Sequence, residues 1–95
     1  MEIVECDAIL VDLGHLVATT SARDTLNPID ISRALERHAT GDWGDLCDSD
    51  KKANDRALCD GSRLLSAYTG SNGVKFWIIT EWDRSYTTVL LPSDY

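Results

Sequence analysis

Leu64-Leu65-Ser66-Ala67-Tyr68-Thr69-Gly70-Ser71-Asn72-Gly73-Val74-Lys75-Phe76-Trp77-Ile78-Ile79-Thr80-Glu81 sets the fold class. On the first side of the turn, Leu64, Ser66 and Tyr68 alternate with Leu65 and Ala67. On the second, Val74, Phe76, Ile78 and Thr80 alternate with Lys75, Trp77, Ile79 and Glu81. A period of two belongs to strands, and Gly70-Ser71-Asn72-Gly73 is a four-residue hairpin connection between them. Downstream, Trp82-Asp83-Arg84-Ser85 makes a second turn, and Tyr86 to Leu91 forms a third strand that Pro92 ends. The expected strands are 62–69, 74–81 and 86–91, a meander with one face in need of cover.

Upstream of Ser62 the period is helical. Asn27 can accept from the free amides of a first turn, Pro28 sits where a missing N–H costs nothing, and Asp30 puts negative charge near the helix start. Ile31, Ala34, Leu35 and His38 then share one face, and Gly41 can end the helix with a positive φ. Ser49 or Asp48 can cap a second helix, Asp50 to Asp60, closed by Gly61. Thr20 or Ser21 can cap a short helical turn through Leu26. Ile9, Val11 and Leu13 alternate, so residues 8–17 are a candidate fourth strand, with Gly14 bending or ending it. The expected fold is α+β: two helices packed on an antiparallel three- to four-stranded meander, one domain over residues 1–95.

Sixteen acids against nine bases give a net charge of −7, and 43% of the residues are apolar. Residues 1–30 hold six acids and one base, whereas residues 61–95 are balanced. A negative field repels phosphate backbones, so no direct nucleic-acid contact is expected. No apolar run approaches a membrane span, and Met1-Glu2-Ile3-Val4-Glu5 is acidic where a signal peptide is basic. Cys6, Cys47 and Cys59 are odd in number and far apart, which fits free thiols in a cytoplasmic protein. Their spacing suits no zinc site. Asp42, Asp45, Asp48 and Asp50 lack the spacing of a calcium loop. Neither metal nor cofactor is implied.

Three stretches carry a family resemblance: Arg37-His38-Ala39-Thr40-Gly41-Asp42-Trp43-Gly44-Asp45, Gly61-Ser62-Arg63-Leu64-Leu65-Ser66-Ala67-Tyr68, and Trp77 to Pro92. Over residues 14–95 the chain resembles a family of small uncharacterised bacterial proteins encoded on plasmids, prophages and other mobile elements. The resemblance implies an accessory or counter-defence role and supplies no activity to carry over. The first dozen residues, with Glu2, Glu5, Asp7 and Asp12, look like an addition to that pattern.

Three functions follow as expectations. The first is a non-enzymatic acidic protein, monomer or homodimer, that binds a protein partner, an anti-restriction or anti-CRISPR inhibitor being one form. Its contact residues would be Glu2, Glu5 and Asp7 together with the loop residues Asp42, Trp43 and Asp45. The second is a small metal-independent RNase resembling barnase-like toxins, with His38, Arg84, Ser66, Tyr68 and Thr88 as its parts. Against it stands the absence of any Lys/Arg cluster. The third is a regulatory or small-ligand-binding domain with its site between helix and sheet. Each candidate also has a structural reading. His38 can be a core-edge residue bonded to its neighbours, Trp43 a core plug, Arg84 a turn partner of Asp83 or Glu81, and Thr88 a strand filler.

Overall fold

The computed structural model describes residues 11–95. The chain runs β1 (His15–Ala18), α1 (Thr20–Thr25), α2 (Pro28–Ala39), α3 (Asp48–Asp60), β2 (Leu64–Thr69), β3 (Lys75–Thr80) and β4 (Tyr86–Leu90), then a 3-10 turn (Pro92–Asp94). The strands form one sheet in the order β1-β4-β3-β2. β2, β3 and β4 make the antiparallel meander expected from the period of two. The fourth strand departs from it. β1 joins the far edge and runs parallel to β4, so the sheet is mixed.

β1 is also shorter than residues 8–17. Val11 is no strand residue: its amide donates to the Ala39 carbonyl, and its side chain joins Trp43, Ala57 and Leu64 in a core cluster. Gly14 then turns the chain at φ 62°, pressed against the Ser85 carbonyl where any Cβ would collide. Residues 8–10 lie outside the described residues.

The helix starts follow capping chemistry. Asn27 Oδ1 accepts the Ile29 amide at 2.8 Å and Pro28 opens α2. Thr19 caps α1 by accepting the Ala22 amide, one residue before the expected cap. Cys47 precedes α3 without a side-chain cap, and Asp48 and Asp50 lie in its first turn.

Even-numbered positions of β2 and β3 and odd-numbered positions of β4 face inward. Tyr68, Phe76, Ile78 and Val89 meet Ala22, Leu26 and Ala34 there. Leu64 meets Trp43 and Ala57. The opposite, outer face carries Val17, Leu65, Ala67, Trp77, Ile79, Tyr86, Thr88 and Leu90.

The two sheet edges differ. On β2 the outward backbone groups belong to Leu65 and Ala67. The Asn54 side-chain amide donates to the Leu65 carbonyl and accepts its N–H, as a neighbouring strand would. Ala67 is paired by the Trp43 carbonyl and the Asp45 amide. On β1 no described residue makes such pairs.

Candidate functional site

His38, the third inward residue of α2's last turns after Ala34 and Leu35, is where the elements converge. The side chain is fully buried, as are Ser66, Thr80 and Thr87. Nδ1 lies 2.5 Å from Ser66 Oγ, and Nε2 lies 2.8 Å from Thr80 Oγ1. Thr80 Oγ1 is 2.7 Å from Thr87 Oγ1, which donates to the Leu13 carbonyl at 2.7 Å. The Trp43 indole packs edge-on against the imidazole, centroids 5.6 Å apart.

Donor counting fixes the direction of this string. A carbonyl only accepts, so the single Thr87 proton goes to Leu13. Thr87 must then accept from Thr80, and Thr80 from a ring N–H. The string therefore requires an N–H on Nε2 of His38; in the neutral ring that burial favours, Nδ1 accepts from Ser66. Every buried polar atom named has a partner, which is the condition for such a string to stabilise a core. Burial lowers the His38 pKa from 6.5 to about 4, with the nearby positive charge of Arg84 adding to the effect. The ring is an unprotonated hydrogen-bond node closed off from water, with α2, β2, β3, β4 and the segment before β1 tied through it.

The other proposed RNase parts do not assemble around it. Tyr68 Oη donates to the Asp42 carbonyl at 2.6 Å, and burial pushes its pKa up to about 12. Thr88 faces the outer side of the sheet, opposite Ile79. Arg84, at φ 61°, donates to the carbonyls of Ser62, Glu81 and Ala57. Ala57 is in the last turn of α3, where a cation also favours the helix dipole. His38 and Ser66 are thus together and Tyr68 is on the same face; Arg84 is near enough for its charge to act on the ring but donates to backbone carbonyls, and Thr88 lies on the opposite face.

The loop residues are similarly engaged. Trp43 is 3% exposed, with Nε1 donating to Asp55 at 2.9 Å. Asp42 takes a two-pronged contact from Arg37 at 2.8 and 3.2 Å, which lowers its pKa. The Arg37 guanidinium also lies 4.8 Å from the Tyr68 ring centre. Asp45 accepts from Thr69. Gly44, at φ 75°, lies so close to the Ala67 carbonyl that a Cβ would overlap it. Glu2, Glu5 and Asp7 fall outside the described residues.

A recurring use of aspartate accounts for six of the sixteen acids. Asp12, Asp42, Asp60 and Asp83 each accept the backbone amide two residues on, from Gly14, Gly44, Ser62 and Ser85. Ser62 and Ser85 add their hydroxyls, and these bonds hold Asp60 and Asp83 below the usual carboxylate range. Asp30 fastens Ser71, and Asp94 holds Thr19 and Ser21. These carboxylates close turns and tie the start of α1 to the 3-10 turn and the start of α2 to the β2–β3 connection. The Asp-x-Gly and Asp-x-Ser spacing that announces them is plain in the sequence.

The outer sheet face is exposed only in part: Ile79 and Leu90 on it are buried, and its accessible apolar residues lie toward the margins. Trp77 is half-buried, Val17 and Tyr86 are 47% and 43% exposed, and Tyr95 stands edge-on to Trp77. Arg63 lies over the Tyr95 ring and donates to its hydroxyl. A groove of about 560 Å³ runs between Ala67, Thr69, Lys75, Trp77 and Pro92, with Asp45 at its rim. No described helix covers this face.

Among the described residues no cluster of three or more His, Cys, Asp or Glu is placed to hold a metal ion. No described helix is long and apolar enough to cross a membrane. No protein-family model, curated protein or solved structure matches the chain.

Proposed function

We propose that the protein is a non-enzymatic accessory protein that acts by binding another protein through the outer face of its sheet. The carrying observation is the contrast between the two faces. On the inner face, His38 and its partners are buried and internally satisfied, and only a small pocket of about 190 Å³ between α2 and Tyr68 and Phe76 opens there. The outer face offers Val17, Trp77 and Tyr86 uncovered by any described helix. Aromatic residues on an open surface are the usual anchors of protein contacts. Arg63 and Lys75 border this patch in a chain of net charge −7, so the fitting partner has an apolar surface bordered by carboxylates. The resemblance to proteins of mobile elements favours a counter-defence inhibitor as the cellular form of this activity.

Affinity capture from the host, followed by measurement with the purified partner, tests the reading. Arg63→Glu combined with Lys75→Glu keeps the fold, because both side chains are exposed, and should slow association markedly. Unchanged affinity of the double variant, or RNA hydrolysis by the purified protein that His38→Gln abolishes, would overturn the proposal.

A further inference from the structure

We infer that two copies of the chain join edge to edge through β1, making one continuous eight-stranded sheet. The inference is independent of the partner reading above. It starts from the asymmetry of the edges. Asn54, Trp43 and Asp45 close the outward groups of β2, whereas β1 has no such cover among the described residues. Natural edges are kept short, as the four residues of β1 are, and are usually also blunted with lysine, proline or a bulge. His15-Leu16-Val17-Ala18 has none of these, and all four residues are exposed.

The register is determined by which groups are free. The amides of His15 and Thr19 donate to Ser85, just before β4, and to Val89 within it, and in a parallel ladder the alternate residues point the other way. Leu16 and Ala18 therefore carry the outward N–H and C=O groups. An antiparallel pair exchanges both bonds only between outward residues. Of the two-fold registers that obey this, the one that pairs both residues within β1 sets Leu16 against Ala18 of the second copy, and Ala18 against its Leu16. The two-fold axis falls at Val17, and no outward group of either residue is left over. An isologous contact of this kind is the commonest route to a dimer.

Side chains agree with that register. Leu16, 58% exposed, sits against the small Ala18 of the other copy. The two Val17 side chains meet on the axis, on the outer face. His15 stands opposite Thr19 of the second copy, whose hydroxyl donates to Asp94 at 2.7 Å. A ring that can donate thus approaches a carboxylate twice per dimer, which selects a second copy over an arbitrary strand. The axis is perpendicular to the sheet, so the outer faces of the two copies become one surface.

The test uses the full chain. Sedimentation across a wide concentration range should show a monomer–dimer equilibrium, and Leu16→Lys should raise its dissociation constant about ten-fold or more with an unchanged circular dichroism spectrum. Arg63→Glu with Lys75→Glu, on the far strands, should leave it unaltered, which separates this contact from the proposed partner surface. With Cys6, Cys47 and Cys59 changed to serine, Val17→Cys should cross-link readily under mild oxidation, because a non-hydrogen-bonded pair on the axis brings the two sulfurs together. Leu16→Cys should cross-link far more slowly. A monomer at every concentration, as when residues 1–10 of the same chain occupy the edge, overturns the inference. So does a dimer insensitive to Leu16→Lys, or equal cross-linking at positions 16 and 17.

Discussion

Lowering the pH should weaken the protein through one buried histidine, in a window above that of the aspartates whose pKa values the fold lowers. His38 has a folded-state pKa of about 4 against 6.5 in the unfolded chain. For a base with a depressed pKa, folding favours the neutral form. Its contribution is whole above pH 6.5 and is lost as the pH falls toward about 4, because the unfolded state takes up a proton that the folded state refuses. Between about pH 7.5 and about pH 4.5 the two pKa values imply a loss of about 2–3 kcal/mol. The carboxylates of Asp30, Asp42, Asp60, Asp83 and Asp94, all lowered from 3.8, act in the opposite regime. Their stabilisation is full above the unfolded value and fails only as the pH drops through the lower folded values, so the two windows are separate. Urea unfolding followed by tryptophan fluorescence, with Trp43 buried in the native state, gives the stability at each pH. In His38→Gln the amide can still accept and donate, so the variant should lose about 1–2 kcal/mol at neutral pH and most of the slope between pH 6.5 and 4.5. A wild-type stability flat over that range, or the same slope in the variant, would refute the reasoning.

Further perturbations follow from the same contacts. Thr87→Val leaves the Leu13 carbonyl without its donor and Thr80 without its acceptor, and should cost about 1–3 kcal/mol in chemical denaturation, with Thr87→Ser recovering most of the loss. Asn54→Ala unpairs both backbone groups of Leu65 and should cost a similar amount, about 1–3 kcal/mol, with faster hydrogen exchange at the Leu65 amide. Gly44→Ala should fail to fold or melt far lower, since its Cβ would land on the Ala67 carbonyl. Gly73→Ala, also at positive φ but with nothing within 4 Å of the added carbon, should cost only about 1 kcal/mol. Arg84→Ala should lower the melting temperature by uncapping α3 while leaving the outer sheet face intact.

The meander and α2 were legible because their signals are local. A period of two starting after Ser62, and Asn27-Pro28 before an apolar stripe, need no knowledge of the rest of the chain. β1 was not legible in this way. Four residues are too few for a period, and a parallel pairing with a strand some 70 positions on leaves no mark in either segment. Ser66, Thr80 and Thr87 look like ordinary strand residues, and only the inward register on three neighbouring strands makes them one string with His38. The interior position of His38 was foreshadowed by its place on the apolar face of its helix. Asn54 gave a fainter signal, a polar residue at the border of the α3 stripe whose amide proves to act as a strand. The acidic composition invited a reading as contact surface. The spacing of Asp12, Asp42, Asp60 and Asp83 from Gly or Ser shows that these four build turns, while Glu2, Glu5 and Asp7 lie outside the described residues.

The central claim is that His38 is an interior node of the fold, neutral and of one tautomer. A long-range proton–nitrogen NMR spectrum of the histidine rings, recorded from about pH 7.5 down to about pH 5, tests this directly. The account predicts a protonated Nε2 and a bare Nδ1 on His38, unchanged over the whole range. Tautomer averaging, or a midpoint near the ordinary value of 6.5, would contradict it.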